Sequence, residues 1–386
     1  MHIPENMFLF AELTPFPIVM KFKSLKKYLL IPAIVILVQS CDDNPYFVLK
    51  TFDVNYANRT EGVVSGKKVD LGIMGMDDIF VYDTLLLATS TNPNGMLSVF
   101  STDSHKQLAS ICKRGRAKNE FLRPTCYSRQ LYVRNGDLII PLRDDVPVLK
   151  EVNVSQSIIN QATVVVDEID CSNNDGRYLL IDNDLRNQFV NLDAGLRPGG
   201  SGEVFTPKYY ISKDGKEEEI KVFPELMNFE DESDSEIFYY GEMYKHPSKN
   251  IAVQPMVFVD YILFFDLNNK RYYAVHQKGS REYDAEAVSR EQQKLHYFQG
   301  VEVTDDFIFV LYFAGDYCVN NPNNPDAAPE LLVFDWDGNY LTGVKLDTRV
   351  KSIAYDSKHQ VLYGLNRVKD EIYSFDISDV MDRLDN

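Results

Sequence analysis

A chain of 386 residues with 45% hydrophobic and 25% charged residues has apolar material for a large core and is not globally disordered. Its formal charge is −17, and it becomes −19 once residues 1–40, with their four lysines and two glutamates, are set aside. Such a surface repels phosphate backbones, which excludes nucleic acid as a partner class.

The first element is an export signal. Lys21, Lys23, Lys26 and Lys27 precede ten apolar residues at 29–38, then Gln39, Ser40 and Cys41. A basic stretch, a short apolar run and a small residue are the parts of a secretory signal in their usual order. Ten apolar residues are too few to span a bilayer. Met20 is the better initiator, so residues 1–19 read as an upstream over-extension of the start. The segment resembles a lipobox, with Val38, Gln39 and Ser40 at the three positions before an acceptor, Cys41; a residue smaller than Gln39 is more usual. Asp42 and Asp43 resemble a short form of the surface-export signal of Bacteroidota-type lipoproteins. The expectation is a signal peptide over 1–40, lipidation of Cys41, and a tether with entry to the first strand over 41–60. The partner is then the membrane, through lipid, at the cell surface or on the periplasmic face of the outer membrane.

From residue 61 onward the signal is β throughout. Short runs rich in β-branched and aromatic residues recur, among them Ile79–Tyr82, Leu97–Phe100, Tyr261–Phe265, Phe307–Tyr312, Leu331–Phe334 and Ile372–Phe375. Polar turns bound them, such as Asn135-Gly136 and Asp337-Gly338-Asn339. The runs also repeat in order. Ser98-Val-Phe-Ser-Thr-Asp, Phe264-Phe-Asp-Leu-Asn-Asn and Leu332-Val-Phe-Asp-Trp-Asp each lead an apolar strand into a polar turn and out into another strand. This is the outer hairpin of a propeller blade. At roughly 40–50 residues per blade, residues 61–386 hold six blades, with seven as the alternative. The parse sets blades near 62–116, 117–165, 166–225, 226–285 and 286–350. The last combines 351–386 with an N-terminal strand from 46–72, closing the ring without an open edge.

One segment carries a family likeness. Lys113-Arg-Gly-Arg-Ala-Lys-Asn-Glu-Phe-Leu-Arg-Pro124 is similar to a G-x-G-x-x-E-F-x-x-P crossing between blades, matching at Gly115, Glu120, Phe121 and Pro124, with Ala117 in place of the second glycine. On this motif the chain resembles the TolB-like six-bladed propeller lipoproteins of Bacteroidota. The resemblance implies a fold and a compartment, and no established reaction.

The chemistry-bearing residues are sparse. The histidines are scattered, no His-Glu-x-x-His occurs, and no Cys-x-x-Cys occurs; no cofactor or metal is expected. Cys112, Cys126, Cys171 and Cys318 read as buried free thiols, and pairing is not assignable from spacing. Asp335–Asn339 reads as a hairpin turn rather than a calcium loop, which needs twelve residues and a closing Glu. Glu230–Glu236 reads as a solvated loop, and Pro198–Gly202 as a flexible one. Two places suggest ligand contacts. Arg114 and Arg116 form a basic exception in an acidic protein and suit an anion. Asp316 and Tyr317 begin a long Asn/Pro-rich stretch, where a loop on a rigid scaffold can hold function. The expected function is a non-catalytic binding module for a glycan, peptide or protein. The alternative is a propeller hydrolase or lyase acting on a small molecule or glycan. A polar Asp/Glu/His cluster on the axis favours the enzyme, and an apolar or plugged axis favours binding.

Overall fold

The structure is a computed structural model, and it describes residues 46–56, 59–126, 129–144, 148–170, 178–181, 189–192, 209–213, 216–224, 238–279, 295–318 and 327–384. The export segment, Cys41, Cys171, the Gly-rich stretch 198–202 and the acidic stretch 230–236 lie outside the described residues.

The described residues open with three short strands, β1 (Lys50–Val54), β2 (Val63–Val64) and β3 (Lys67–Val69). A first blade follows: β4 (Met76–Tyr82), β5 (Leu85–Ser90), β6 (Leu97–Ser101) and β7 (Gln107–Ile111). The second is β8 (Tyr132–Arg134), β9 (Asp137–Arg143), β10 (Val148–Asn153) and, after helix α1 (Val154–Asn160), β11 (Val165–Asp170). Two hairpins come next, β12 (Tyr178–Ile181) with β13 (Phe189–Leu192), and β14 (Tyr209–Lys213) with β15 (Lys216–Ile220). The third blade is β16 (Tyr244–Lys245), β17 (Ile251–Pro255), β18 (Tyr261–Asp266) and β19 (Arg271–Gln277). The fourth is β20 (Leu295–Val303), β21 (Ile308–Cys318), β22 (Glu330–Phe334) and β23 (Tyr340–Leu346). The fifth is β24 (Ser352–Asp356), β25 (Val361–Asn366) and β26 (Glu371–Asp376), before a final helix α2 (Ser378–Leu384).

The fold is an all-β propeller, and the described strands build five blades rather than six. The difference lies in 166–225, parsed from the sequence as a third blade. Its first residues are spent on β11, the outer strand of the second blade, and the rest contributes two two-stranded sheets.

The N-terminal strands explain how the ring closes. β3 pairs antiparallel with β26, Val69 opposite Ile372, so the first and last parts of the fold share one sheet. β1 adds in parallel to the outer edge of β19, and β2 to that of β23. Residues 46–72 thus strap three successive blades and cover two free edges. Phe47, Leu49 and Tyr56, within the 41–60 stretch read from the sequence as tether and entry to the first strand, are buried.

Blades stack face to face, so their middle strands are buried on both sides and read as unbroken apolar runs. Leu87 and Val99 of the first blade pack with Leu138 and Ile140 of the second. Phe264 of the third meets Phe298 and Leu332 of the fourth, whose Phe309 and Leu331 meet Ile353 and Phe375 of the fifth. Ile79 and Leu86 then meet Ala354 and Leu365, returning to the first blade. Tyr209 and Ile220 of the β14–β15 hairpin pack on the third blade.

The turns repeat chemically too. Asp266, Asp356 and Asn366 each accept a hydrogen bond from the backbone N–H three residues on, at 3.0, 3.2 and 3.0 Å. The next residue in each, Lys270, Gln360 and Asp370, is left-handed, with φ of 51°, 52° and 55°. Asp335 captures Asp337 and Asn339 N–H groups in the same manner, which makes 335–339 a hairpin turn.

Candidate functional site

The first strands of neighbouring blades lie against one another, β4 with β24, β24 with β20, and β20 with β16. Side chains at their starts converge on one pocket of about 540 Å³. Asp77 and Asp78 come from β4, Arg129 from the chain entering β8, Glu242 and Tyr244 from the start of the third blade, His296 and Gln299 from β20, and Lys351 and Ser352 from the start of β24. Each of the five blades supplies at least one polar group.

β20 is shaped for this. Its pairing with β21 slips twice, between His296 and Phe298 and between Gln299 and Val301. Bulges of this kind re-aim side chains. Gly300 sits in the second slip with φ of +58°, and a Cβ there would stand 2.5 Å from the Lys351 carbonyl oxygen. Glycine is required both by the left-handed backbone and by this close approach. The Lys351 backbone is fixed from the other side by its N–H, which donates to Leu365 O at 2.9 Å.

Arg129 is the hub. Its guanidinium is buried, donates to Val301 O at 2.8 Å and to Ile79 O, and lies 3.8 Å from Asp78 and 3.5 Å from Glu302. It stacks 4.8 Å from the Phe80 ring centroid. Burial alone lowers its pKa, but Asp78 and Glu302 outweigh burial and keep it charged. Burial pushes the Glu302 carboxyl up to about 7, with Arg129 opposing. Glu242 faces the pocket solvent while the channel walls surround it. That enclosure, with Asp78 nearby, raises its pKa against a 2.9 Å hydrogen bond from the Tyr244 hydroxyl. Ser352 Oγ donates to Asp78. Burial holds His296 down to about 4, so it is a neutral imidazole, hydrogen-bonded to the Gln299 amide. Its ring is edge-on to Phe258 at 5.0 Å, and Phe258 lies 6.1 Å from Tyr240, forming an aromatic wall. Among the described residues, Arg129 Nε and Gln299 Oε1 are buried without a hydrogen-bond partner.

The residues singled out by sequence lie elsewhere. Arg114 and Arg116 are exposed on the crossing from β7 to β8, away from the pocket lining. The crossing is braced internally: Gly115 N–H donates to Phe121 O at 3.0 Å, and Ala117 N–H to the Glu120 carboxylate at 3.0 Å. A Cβ at Gly115 would collide with that carboxylate, so the matched Gly and Glu form a structural latch. The backbone of Asp316 and Tyr317 belongs to strand β21 and not to a loop, since β21 runs to Cys318. Their side chains, and residues 319–326, lie outside what is described. Tyr317 is opposite His296 in register, so this end of β21 adjoins the strand end that lines the pocket. Cys112 and Cys126 are buried free thiols, the second pushed up to about 12 by burial. Among the tyrosines, Tyr209, Tyr239 and Tyr273 are core, while Tyr240 and Tyr244 reach the pocket.

Sequence reasoning missed the axial residues because they lie far apart in the chain, Asp78 from Arg129 by 51 positions and from Ser352 by 274, with no local spacing to read. A weak signal existed: charged or amide residues at the starts of strands that otherwise read apolar, as in Met76-Asp-Asp-Ile79 and Gln299-Gly300.

Five blades around a polar axial pocket define the class as a β-propeller. No protein-family model matches the chain, and no curated protein matches it. Among solved structures, a member of the DUF4221 family from Bacteroides vulgatus is similar at 11% identity and a TM-score of 0.45, covering 86% of this chain and 98% of that one. The Cps50 (Swd1) β-propeller domain from Myceliophthora thermophila is similar at 9% identity and a TM-score of 0.39, covering 81% and 98%. Among the described residues, no helix is long and apolar enough to cross a membrane.

Proposed function

We propose that this protein is a non-catalytic binding propeller, held at the outer membrane by lipid on Cys41, that takes a small polar ligand of glycan or peptide type in its axial pocket. The carrying observation is the pocket: five blades each direct a polar side chain into one space of about 540 Å³, backed by the Phe258–Tyr240 wall. A volume of several hundred Å³ with few fixed polar groups and an aromatic wall suits a ligand of modest size. The envelope location rests on the signal segment ending at Cys41, and kinship with TolB-like lipoproteins on the 113–124 crossing.

A specific observation favours a second reading, a hydrolase or lyase. The axis is polar, and Glu242 is held toward its protonated form beside Asp78, the arrangement of an acid paired with a carboxylate. Against it, Asp78 is engaged by Ser352 and lies beside Arg129, and the neutral His296 is hydrogen-bonded to the Gln299 amide.

Calorimetric titration of a glycan and peptide panel, with product analysis of each mixture, separates the two. Saturable binding without turnover, weakened by Tyr240→Ala, is expected; turnover of any panel member moves the assignment to the enzyme. For the anchor, Cys41→Ser should release the protein from membranes and abolish palmitate labelling; equal labelling of mutant and wild type rules the anchor out.

A further inference from the structure

The lining of the axial pocket is balanced in charge although the chain as a whole is −17: Asp77, Asp78 and Glu242 face Arg129, Lys351 and Arg367. Most of these neutralise one another in place. Arg367 pairs with Asp77 at 3.0 Å, and Arg129 lies 3.8 Å from Asp78. Lys351 and Glu242 remain. Among the described residues neither has an ion-pair partner, although both line the pocket. The pocket thus offers an ammonium and a carboxyl group of opposite charge that act on each other across the lining without closing into an ion pair, with an aromatic wall and the Gln299 amide beside them.

We propose that the ligand is a zwitterion of peptide type, its carboxylate held by Lys351 and its ammonium by Glu242. This rests on the axial-binding reading above. An anionic ligand would leave Glu242 opposed to it, and a cationic one Lys351; a neutral sugar would displace water from both groups and supply no charge to either, which is costly. A ligand with one charge of each sign satisfies both. Burial lowers the Lys351 pKa, with Arg367 adding to it and Glu242 opposing, and raises that of Glu242, with Arg129 and Lys351 opposing, so a counter-charge favours the charged form of each. The slip at Gly300 and the Lys351–Leu365 backbone bond position the lysine in advance, which reduces the ordering cost of binding.

The test uses four probes on the purified protein: the tripeptide Ala-Phe-Ala, its C-terminal amide, its N-acetyl form, and maltose. The free tripeptide should bind, and each capped form should bind at least about tenfold more weakly, as loss of a charge-assisted contact implies. In Lys351→Met the amide and the free acid should bind alike. Lys351→Arg, which keeps the charge, should restore the discrimination and guards against a folding artefact. In Glu242→Gln the N-acetyl and free forms should bind alike. Equal binding of capped and free peptides to wild type overturns the zwitterion assignment. Maltose binding in preference to the peptide overturns it too, while leaving the axial-binding reading intact. Failure of all four probes also overturns it, and the wider panel then decides the binding reading separately.

Discussion

Arg129 draws two blades together, since one guanidinium serves carbonyls of β4 and β20 and two carboxylates. Removing one partner of a buried charge cluster leaves the others uncompensated, at a cost of about 3–5 kcal/mol. Arg129→Ala should therefore destabilise the protein by that order in denaturant titration, whereas Arg114→Ala, on the exposed crossing, should change stability by less than about 0.5 kcal/mol. Equal effects of the two would contradict the hub. A second residue-scale expectation concerns pH. Asp260 is buried between the hydroxyls of Tyr56 and Tyr312, and burial pushes its carboxyl up to about 6 from 3.8. A raised folded-state pKa means that the folded protein holds a proton the unfolded chain gives up. The associated stability is fully present below about pH 4 and is lost as pH rises through about 6. Asp260→Asn should gain on wild type across that window by roughly 3 kcal/mol at most. His246 and His296, both held down to about 4, act with the opposite sign, so the difference between mutant and wild type is the quantity to measure. A difference that stays flat from pH 4 to pH 7 would count against a raised Asp260.

The strap is where elements and sequence part company. Closing of the ring by an N-terminal strand was readable, because an open last blade leaves an edge that must be covered. The parallel addition of β1 and β2 was not, since five- and two-residue strands with mostly exposed residues carry no alternation to detect. The same limit hid the blade count: the 166–225 segment has strand-like runs, and only their pairing shows that β11 belongs to the preceding blade. Hairpin turns were legible because Asp or Asn capture of the backbone is local. The axial site was illegible because its members meet only through the ring. Deleting residues up to 60 tests the strap. It removes β1 and the buried Phe47, Leu49 and Tyr56, each worth about 1.5–3 kcal/mol of burial. Melting should fall by ~10 °C or more, or the protein should fail to fold. An unchanged melting temperature would mean that this stretch is tether after all.

For the whole molecule, the contrast between a −17 chain and a charge-balanced pocket is the central physical fact. Long-range repulsion disfavours anionic polymers, while a net-neutral ligand is neither steered nor repelled. Association with Ala-Phe-Ala should accordingly change little between low and physiological salt, and a steep salt dependence would point instead to an anion at the 113–123 crossing. The most direct measurement is an experimental structure of the protein with that tripeptide. The peptide is expected in the axial pocket, its carboxylate at Lys351 and its amino group at Glu242. A peptide bound at the 113–123 crossing or beside residues 316–326, with the axial pocket empty of it, would contradict the account.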